Sequence, residues 1–261
     1  LLHIQQENSL FTDAELTWYV QAAAERHVPV IVTEHGVDER MRAWEREADA
    51  LVALTASGAC LLRERWPTKR VEHIPIGCPN WSMPRKPGRD RVIAAFGFLA
   101  PHKGFWRLLD VLRALPGTEL LLFSYARSAE LEEQWDAAAA GLPVRRVADF
   151  LPVEDIARRL AAEADLLVYW YDEVPHASAS YAVRVGLASG VPVLASPTSW
   201  FEELREVTYQ TPHLEEGVQR MFEDTQLRDE LVSGAAEYCY AHRWPRIREH
   251  HLVLWQSLEP S

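Results

Sequence analysis

FGFLAPHKGF, residues 96–105, says more about the fold than any other stretch of this 261-residue chain. An apolar run at 92–95 precedes it, and Phe105, Trp106, Leu108, Leu109, Val111, Leu112 and Leu115 follow at helical spacing. The pattern is a strand, a tight turn holding Gly97, and a helix opening near Lys103. A helix N-terminus offers unpaired backbone N–H groups and the positive end of the helix dipole, which suits a phosphate. Lys103 adds a mobile cation there, and Gly97 and Gly104 let a ligand approach the backbone. An ordinary strand–loop–helix turn with a solvated lysine has the same pattern, so the rest of the chain must decide.

Outward from this turn the alternation repeats. Strand-like runs lie at 1–5, 28–33, 50–54, 71–74, 92–96, 119–123, 144–147, 165–170 and 191–195. Helical patterns lie at 13–26, 38–47, 57–66, 103–115, 129–140, 153–162 and 180–189, and the chain is helical beyond Pro212. Short apolar strands alternating with amphipathic helices imply an α/β protein whose parallel sheets are covered on both faces. One stretch breaks the rhythm: CPNWSMPRKPGRD, residues 78–90, carries Pro79, Pro84, Pro87 and Gly88 and reads as an interdomain linker. It separates a first α/β half, 1–77, from a longer one beginning at 91. Two such halves place a cleft between the carboxyl ends of their sheets, where open parallel sheets bind ligands. The chain begins at Leu1 with a strand-like LLHI and no Gly-rich strand–turn–helix ahead of it. That reads as a piece of a larger polypeptide, or as an abbreviated N-terminal domain.

Composition narrows the function. The net charge of −11 argues against nucleic-acid binding and against a purely electrostatic hold on anionic membranes. No apolar run approaches the ~20 residues that span a bilayer, and no signal peptide is present. Cys60, Cys78 and Cys239 are odd in number and lack zinc spacing, so reduced thiols in a cytoplasmic protein are expected. Ten tryptophans in a shortened chain make a partner domain or a homo-oligomer plausible.

Candidate chemistry clusters at strand ends. VPVIVTEHG, residues 28–36, ends a buried strand on Thr33, Glu34 and His35. His35 could serve a sugar hydroxyl or a developing charge, or simply bond the next loop, with Glu34 directed to the other side. HASASYAVRVGLASGVPVLAS, residues 176–196, joins a strand to a helix through Ser178, Ala179 and Ser180. These small residues would either cap the helix or leave its amides open to an anion beside Lys103. Tyr171, Asp172 and Glu173 follow another strand end, with a sugar or base contact as the less favoured reading. No acidic cluster suggests a metal, and no GxSxG turn suggests a serine nucleophile.

In order, TEHG, ADALVALTASGACLLRERW, VEHIPIGCP, FGFLAPHKG, ASASYAVRVGLASGVPVLAS and a Trp–Pro entry to the last helix resemble the retaining, nucleotide-sugar-dependent GT-B glycosyltransferases. The resemblance runs from about His3 onward. It implies two Rossmann-like domains facing a cleft: an abbreviated acceptor-side domain at 1–77, the linker, a nucleotide-sugar-binding domain at 91–240, and a helix at 241–261 returning to the first domain. It assigns the donor diphosphate to Gly97, Phe98, Lys103 and Gly104, the donor sugar to His35, and phosphate oxygens to Ser178, Ala179 and Ser180. Three positions depart from the usual pattern. Phe98 stands where most members have arginine, and Ala177 and Val185 stand where most have glutamates. A divergent branch with FGFxxPxKG and a serine-rich helix start shares these features.

The function implied is metal-independent transfer of a hexose, with retention, from a nucleotide-diphosphate sugar to a glycan, lipid-linked or small-molecule acceptor. His35 and Lys103 would be the catalytic residues, and the nucleotide sugar would be a co-substrate, with no separate cofactor. Two alternatives follow from the same residues: a non-catalytic GT-B-like binding or assembly module of a larger protein, and a phosphorylase or epimerase of the same fold.

Overall fold

The structure, a computed structural model, describes residues 1–7, 10–85 and 91–258. In chain order its first elements are β1 (Leu2–Gln6), α1 (Asp13–Ala24), β2 (Val30–Glu34), β3 (Gly36–Val37), α2 (Ala43–Glu47), β4 (Ala50–Ala53), α3 (Ala56–Arg65) and β5 (Arg70–His73). Next come β6 (Val92–Phe96), α4 (Phe105–Ala114), β7 (Glu119–Phe123), α5 (Ala129–Ala139), β8 (Val144–Val147), α6 (Val153–Glu163) and β9 (Leu166–Tyr169). The last are β10 (Ala177–Ser178), α7 (Tyr181–Ala188), β11 (Val193–Ala195), β12 (Tyr209–Gln210), α8 (Leu214–Glu223), α9 (Thr225–Ala241) and α10 (Trp244–Gln256). The chain forms two units: Leu1–Gly77 with Val174–Ala179 and Trp244–Ser261, and Cys78–Glu173 with Ser180–Arg243.

The first unit is built on a parallel sheet in the order β1-β2-β4-β5. Val30, Val32, Leu51 and Ala53 pack on one face with Leu16 and Val20 of α1, Trp44 and Leu62. Ile31, Ala50 and Val52 pack on the other face with Ile247 and Leu254 of α10. This alternation is the period-2 geometry of a strand buried on both sides. Thr12 and Glu15 form a capping box that starts α1, and Thr55 caps α3 through the Gly58 amide at 3.1 Å.

Buried charge is concentrated beside this sheet. Glu45 is fully buried and accepts hydrogen bonds from Arg42 at 3.2 Å, Arg65 at 2.8 Å and the Trp66 indole at 2.8 Å. Glu34 points into the same region. It is 1% exposed, and neither carboxylate oxygen has a hydrogen-bond partner. Burial first, and then the nearby Glu45 charge, push its pKa up to about 8 against the pull of Arg42 and Arg65.

The second unit carries a six-stranded sheet in the order β12-β11-β9-β6-β7-β8, with every pairing parallel. Starting from β6, the chain adds β7 and β8 on one side, then returns to add β9, β11 and β12 on the other. That is the doubly wound order, and its direction reverses between β6 and β9. Leu108, Leu109 and Leu112 of α4 cover one face; Val183 and Leu187 of α7 and Ile156 and Leu160 of α6 cover the other. Among the described residues no helix is long and apolar enough to cross a membrane.

The structure departs from the sequence expectations at several points. The helix expected at 38–47 is only Ala43–Glu47. Asp38 accepts from the Arg40 amide at 2.9 Å and from Arg42 at 2.9 Å, a side-chain turn that competes with the helical backbone. Cys78, expected in the linker, is fully buried in the second unit's core, with its N–H donating to the His242 carbonyl at 2.8 Å. Residues 86–90 of that stretch and the tail at 259–261 lie outside the described residues. Val174–Ala179, expected in the second domain, belongs to the first unit because β10 pairs antiparallel with β3. All three cysteines are free thiols.

Glu34 gives the fold a pH signature. Its folded-state pKa lies above its ordinary carboxylate value, so the native state holds a proton that the unfolded state releases. Stability therefore falls as pH rises from about 4.5 to about 8. Glu34→Gln should remove that loss, gaining on the order of 3–5 kcal/mol over wild type at pH 9 and little at pH 4. Urea denaturation at the two pH values measures it, and an equal difference at both would refute the assignment.

Candidate functional site

The reversal between β6 and β9 puts their carboxyl ends side by side while the chain leaves them in opposite directions, the strand-end position at which open parallel sheets take ligands. β6 runs into Gly97, which has φ 151°, and a Cβ there would lie 3.6 Å from Phe105 Cζ, an ordinary van der Waals contact. A 3-10 turn, Pro101–Lys103, follows, and Gly104 at φ 63° ends it. Lys103 therefore sits on this turn rather than at the start of α4, a correction to the sequence reading. The amides of Lys103 and Gly104 donate to the Ala100 and Pro101 carbonyls at 3.0 and 3.1 Å, so neither is open to a phosphate.

Gly104 also has a packing role that the sequence reading did not anticipate. A Cβ there would lie 1.9 Å from the Trp170 carbonyl oxygen, just past β9. The glycine lets the protein's own backbone come close, locking the turn after β6 against the exit of β9. The Asp172 N–H donates to the His102 carbonyl at 2.8 Å, and Arg107 pairs with Asp172 at 2.7 Å across the same junction.

Lys103 Nζ stands 3.8 Å from the centre of the Tyr171 ring and 5.1 Å from that of Trp200. Among the described residues no carboxylate pairs with it. The Tyr171 hydroxyl meets Ser180 Oγ at 3.2 Å, so Tyr171 links Lys103 to the start of α7. Ser180 occupies the N-cap position of α7, but its side chain makes no capping bond. Phe98 is 42% exposed, and the Arg127 guanidinium lies over its ring at 4.5 Å. Val185 is fully buried.

The other expected residues belong to the first unit. The His35 ring is paired with Gln5 Oε1 at 3.1 Å, and its amide donates to the Gln6 carbonyl at 3.0 Å. Its carbonyl accepts from Ser178 Oγ at 2.6 Å, so Ser178 braces the β3–β10 ladder and does not cap α7. Burial holds the His35 imidazole below its ordinary pKa, favouring the neutral ring, while the Glu7 charge opposes this. Ala179 is half-buried, between β10 and α7. Among the described residues no three His, Cys, Asp or Glu side chains gather as metal ligands would.

The structure thus brings His35 and Ser178 together, and links Lys103 to Ser180 only through Tyr171. Sequence reasoning gave Tyr171 low weight and missed Trp200. The usable signal was that both lie past the carboxyl ends of strands on one side of β6, β9 beside it and β11 next to β9, which becomes visible only once the strand order is known.

No family model matches the chain, and no curated protein matches it by sequence. Solved structures do. The sucrose-phosphate synthase (tll1590) from Thermosynechococcus elongatus superposes with a TM-score of 0.75 at 18% identity, over 93% of this chain and 71% of that one. The pneumococcal O-GlcNAc transferase GtfA, solved with UDP and GlcNAc, gives 0.66 at 13% identity, over 92% and 54%. The chain has the GT-B glycosyltransferase fold. A Glycosylation Associate Protein (Gap123) complex from Streptococcus agalactiae has a similar chain, with a TM-score of 0.62 at 16% identity over 95% and 53%. This chain spans little more than half the length of the last two.

If Gly104 is a packing requirement, Gly104→Ala should cost about 2 kcal/mol or more, from backbone strain plus the clash with Trp170. Gly117, at φ 83° with nothing near its missing Cβ, supplies the control. Gly117→Ala should cost about 1–2 kcal/mol from conformation alone. Equal losses in chemical denaturation would show that the close approach to Trp170 contributes nothing.

Proposed function

We propose that this chain is a glycosyltransferase that moves a hexose from a nucleotide-diphosphate sugar to a glycan, lipid-linked or small-molecule acceptor, with retention and without a metal. The observation behind this reading is the Lys103 ammonium beside the β6–β9 reversal, the position at which doubly wound sheets take their ligands, with no carboxylate paired to it among the described residues. In the proposed reaction the bond from the anomeric carbon to the diphosphate breaks and a bond to an acceptor hydroxyl oxygen forms. The acceptor hydroxyl's proton passes to the departing nucleoside diphosphate. Lys103 stabilises the negative charge that grows on that leaving group. Ser180 stands one hydrogen bond from Tyr171 at the start of α7. Arg127 over Phe98 brings a guanidinium to the neighbouring strand end, where the resembled family usually carries arginine at the Phe98 position. The resemblance assigns the donor sugar to His35, whose ring is favoured in its neutral, hydrogen-bonding form.

A second reading, a non-catalytic binding or assembly module, has its own support. Ala177 and Val185 replace the resembled family's glutamates, and a glycosylation-associated complex shares the fold.

Thermal shift separates the readings, because a ligand that binds only the folded state must raise its apparent stability. A nucleoside diphosphate should stabilise the wild type, and Lys103→Ala should lose most of that shift while keeping the unliganded melting temperature within a few degrees. No shift with UDP, ADP or GDP would favour the module reading.

A further inference from the structure

We infer that Tyr171 and Trp200 are positioning residues that form an aromatic seat for the Lys103 ammonium, holding it oriented toward the donor diphosphate; this rests on the function proposed above for Lys103. Three strands adjacent in the sheet, β11, β9 and β6, lead at their carboxyl ends to Trp200, Tyr171 and Lys103 respectively. Nζ lies 3.8 Å from the Tyr171 ring centre and 5.1 Å from the Trp200 ring centre, both within the range at which a ring's negative face attracts a cation.

The choice of partner matters chemically. A carboxylate at this position would hold the lysine but cancel its charge and repel a diphosphate. An aromatic face attracts the ammonium through its quadrupole and leaves the full positive charge for an incoming anion. Seating also reduces the rotamer freedom that a long lysine side chain would lose on binding, which is the ordinary gain from pre-organisation.

The seat is itself anchored. Tyr171 is 2% exposed, packs on Phe201 with ring centres 4.9 Å apart, and accepts a hydrogen bond at its carbonyl from Ser196 Oγ at 2.8 Å. Trp200 meets Tyr171 edge-on at 5.7 Å and stacks on His102, the residue before Lys103, with 9° between planes. The turn that carries Lys103 and the ring beneath it therefore hold each other. Through its hydroxyl, Tyr171 ties the seat to Ser180 at the start of α7.

Two measurements test this. The first is the NMR signal of the Lys103 ε-methylene in lysine-labelled protein, which needs no nucleotide. Ring currents should shift it upfield in the wild type; Trp200→Leu should move it toward the exposed-lysine position, and Trp200→Phe should largely preserve it. An unshifted wild-type signal overturns the seat. The second is the affinity for UDP, ADP and GDP, each added alone. Trp200→Leu should weaken the best of them by about tenfold, and Trp200→Phe and Tyr171→Phe should stay within about threefold of wild type. In the Lys103→Ala background, Trp200→Leu should have no further effect, an outcome that a merely structural tryptophan would not give. If Lys103→Ala loses affinity while Trp200→Leu binds like wild type, the seat is refuted and the functional reading stands. If Lys103→Ala binds like wild type, or the wild type binds none of the three, the functional reading falls and the seat's role with it.

Discussion

β6 and β9 pair in parallel, Ile93 with Leu166 and Ala94 with Leu167, and the chain winds away from that pair to opposite sides of the sheet. Everything proposed for the second unit depends on this pairing. Parallel strands end together at one edge, so their following loops must share it, and the reversal leaves no crossover helix directly above the pair. The turn after β6 and the exit of β9 then meet closely enough that only a hydrogen atom fits at Gly104 under the Trp170 carbonyl. That contact sets where Lys103 begins, and the rings of Tyr171 and Trp200 set where its ammonium ends.

The two units place charge differently. Beside the first sheet, Glu45 is buried with Arg42 and Arg65 as partners, and Glu34 is buried without a hydrogen bond. A partnered cluster of this kind adds specificity of arrangement more than net stability, because desolvation offsets much of the attraction. The unpartnered acid avoids most of its desolvation cost by keeping its proton. In the second unit Lys103 is half-buried, and its charge is held by ring faces that do not neutralise it. A charge held this way remains available to a ligand.

Much of the architecture was legible in the sequence, since buried parallel strands and amphipathic helices differ in period and in length. The apolar 92–95 and 119–123 runs, and the Phe105–Leu112 helical pattern, are signals of that kind, and the observed β6, β7 and α4 follow them. What the sequence hid was short or non-local. β3, β10 and β12 have two residues each, too few for any periodicity. Ser178 and Ser180 looked interchangeable as helix caps, yet one bonds the His35 carbonyl and the other the Tyr171 hydroxyl. One partner lies 143 residues away and the other 9, both beyond the reach of the local preferences that govern helix caps.

By itself, then, the sequence determined the kind of fold and the strand ends at which chemistry could gather, because hydrophobic period and turn residues act over a few positions. It also singled out Lys103 and His35, through residue type at a strand's carboxyl end. Only the tertiary structure decided what surrounds them. Strand order brought Tyr171 and Trp200 to Lys103, and close backbone packing against Trp170 requires Gly104. The physical reason is that side-chain environment in a parallel sheet depends on which strands are neighbours, a property of the closed hydrogen-bond network rather than of any stretch of chain.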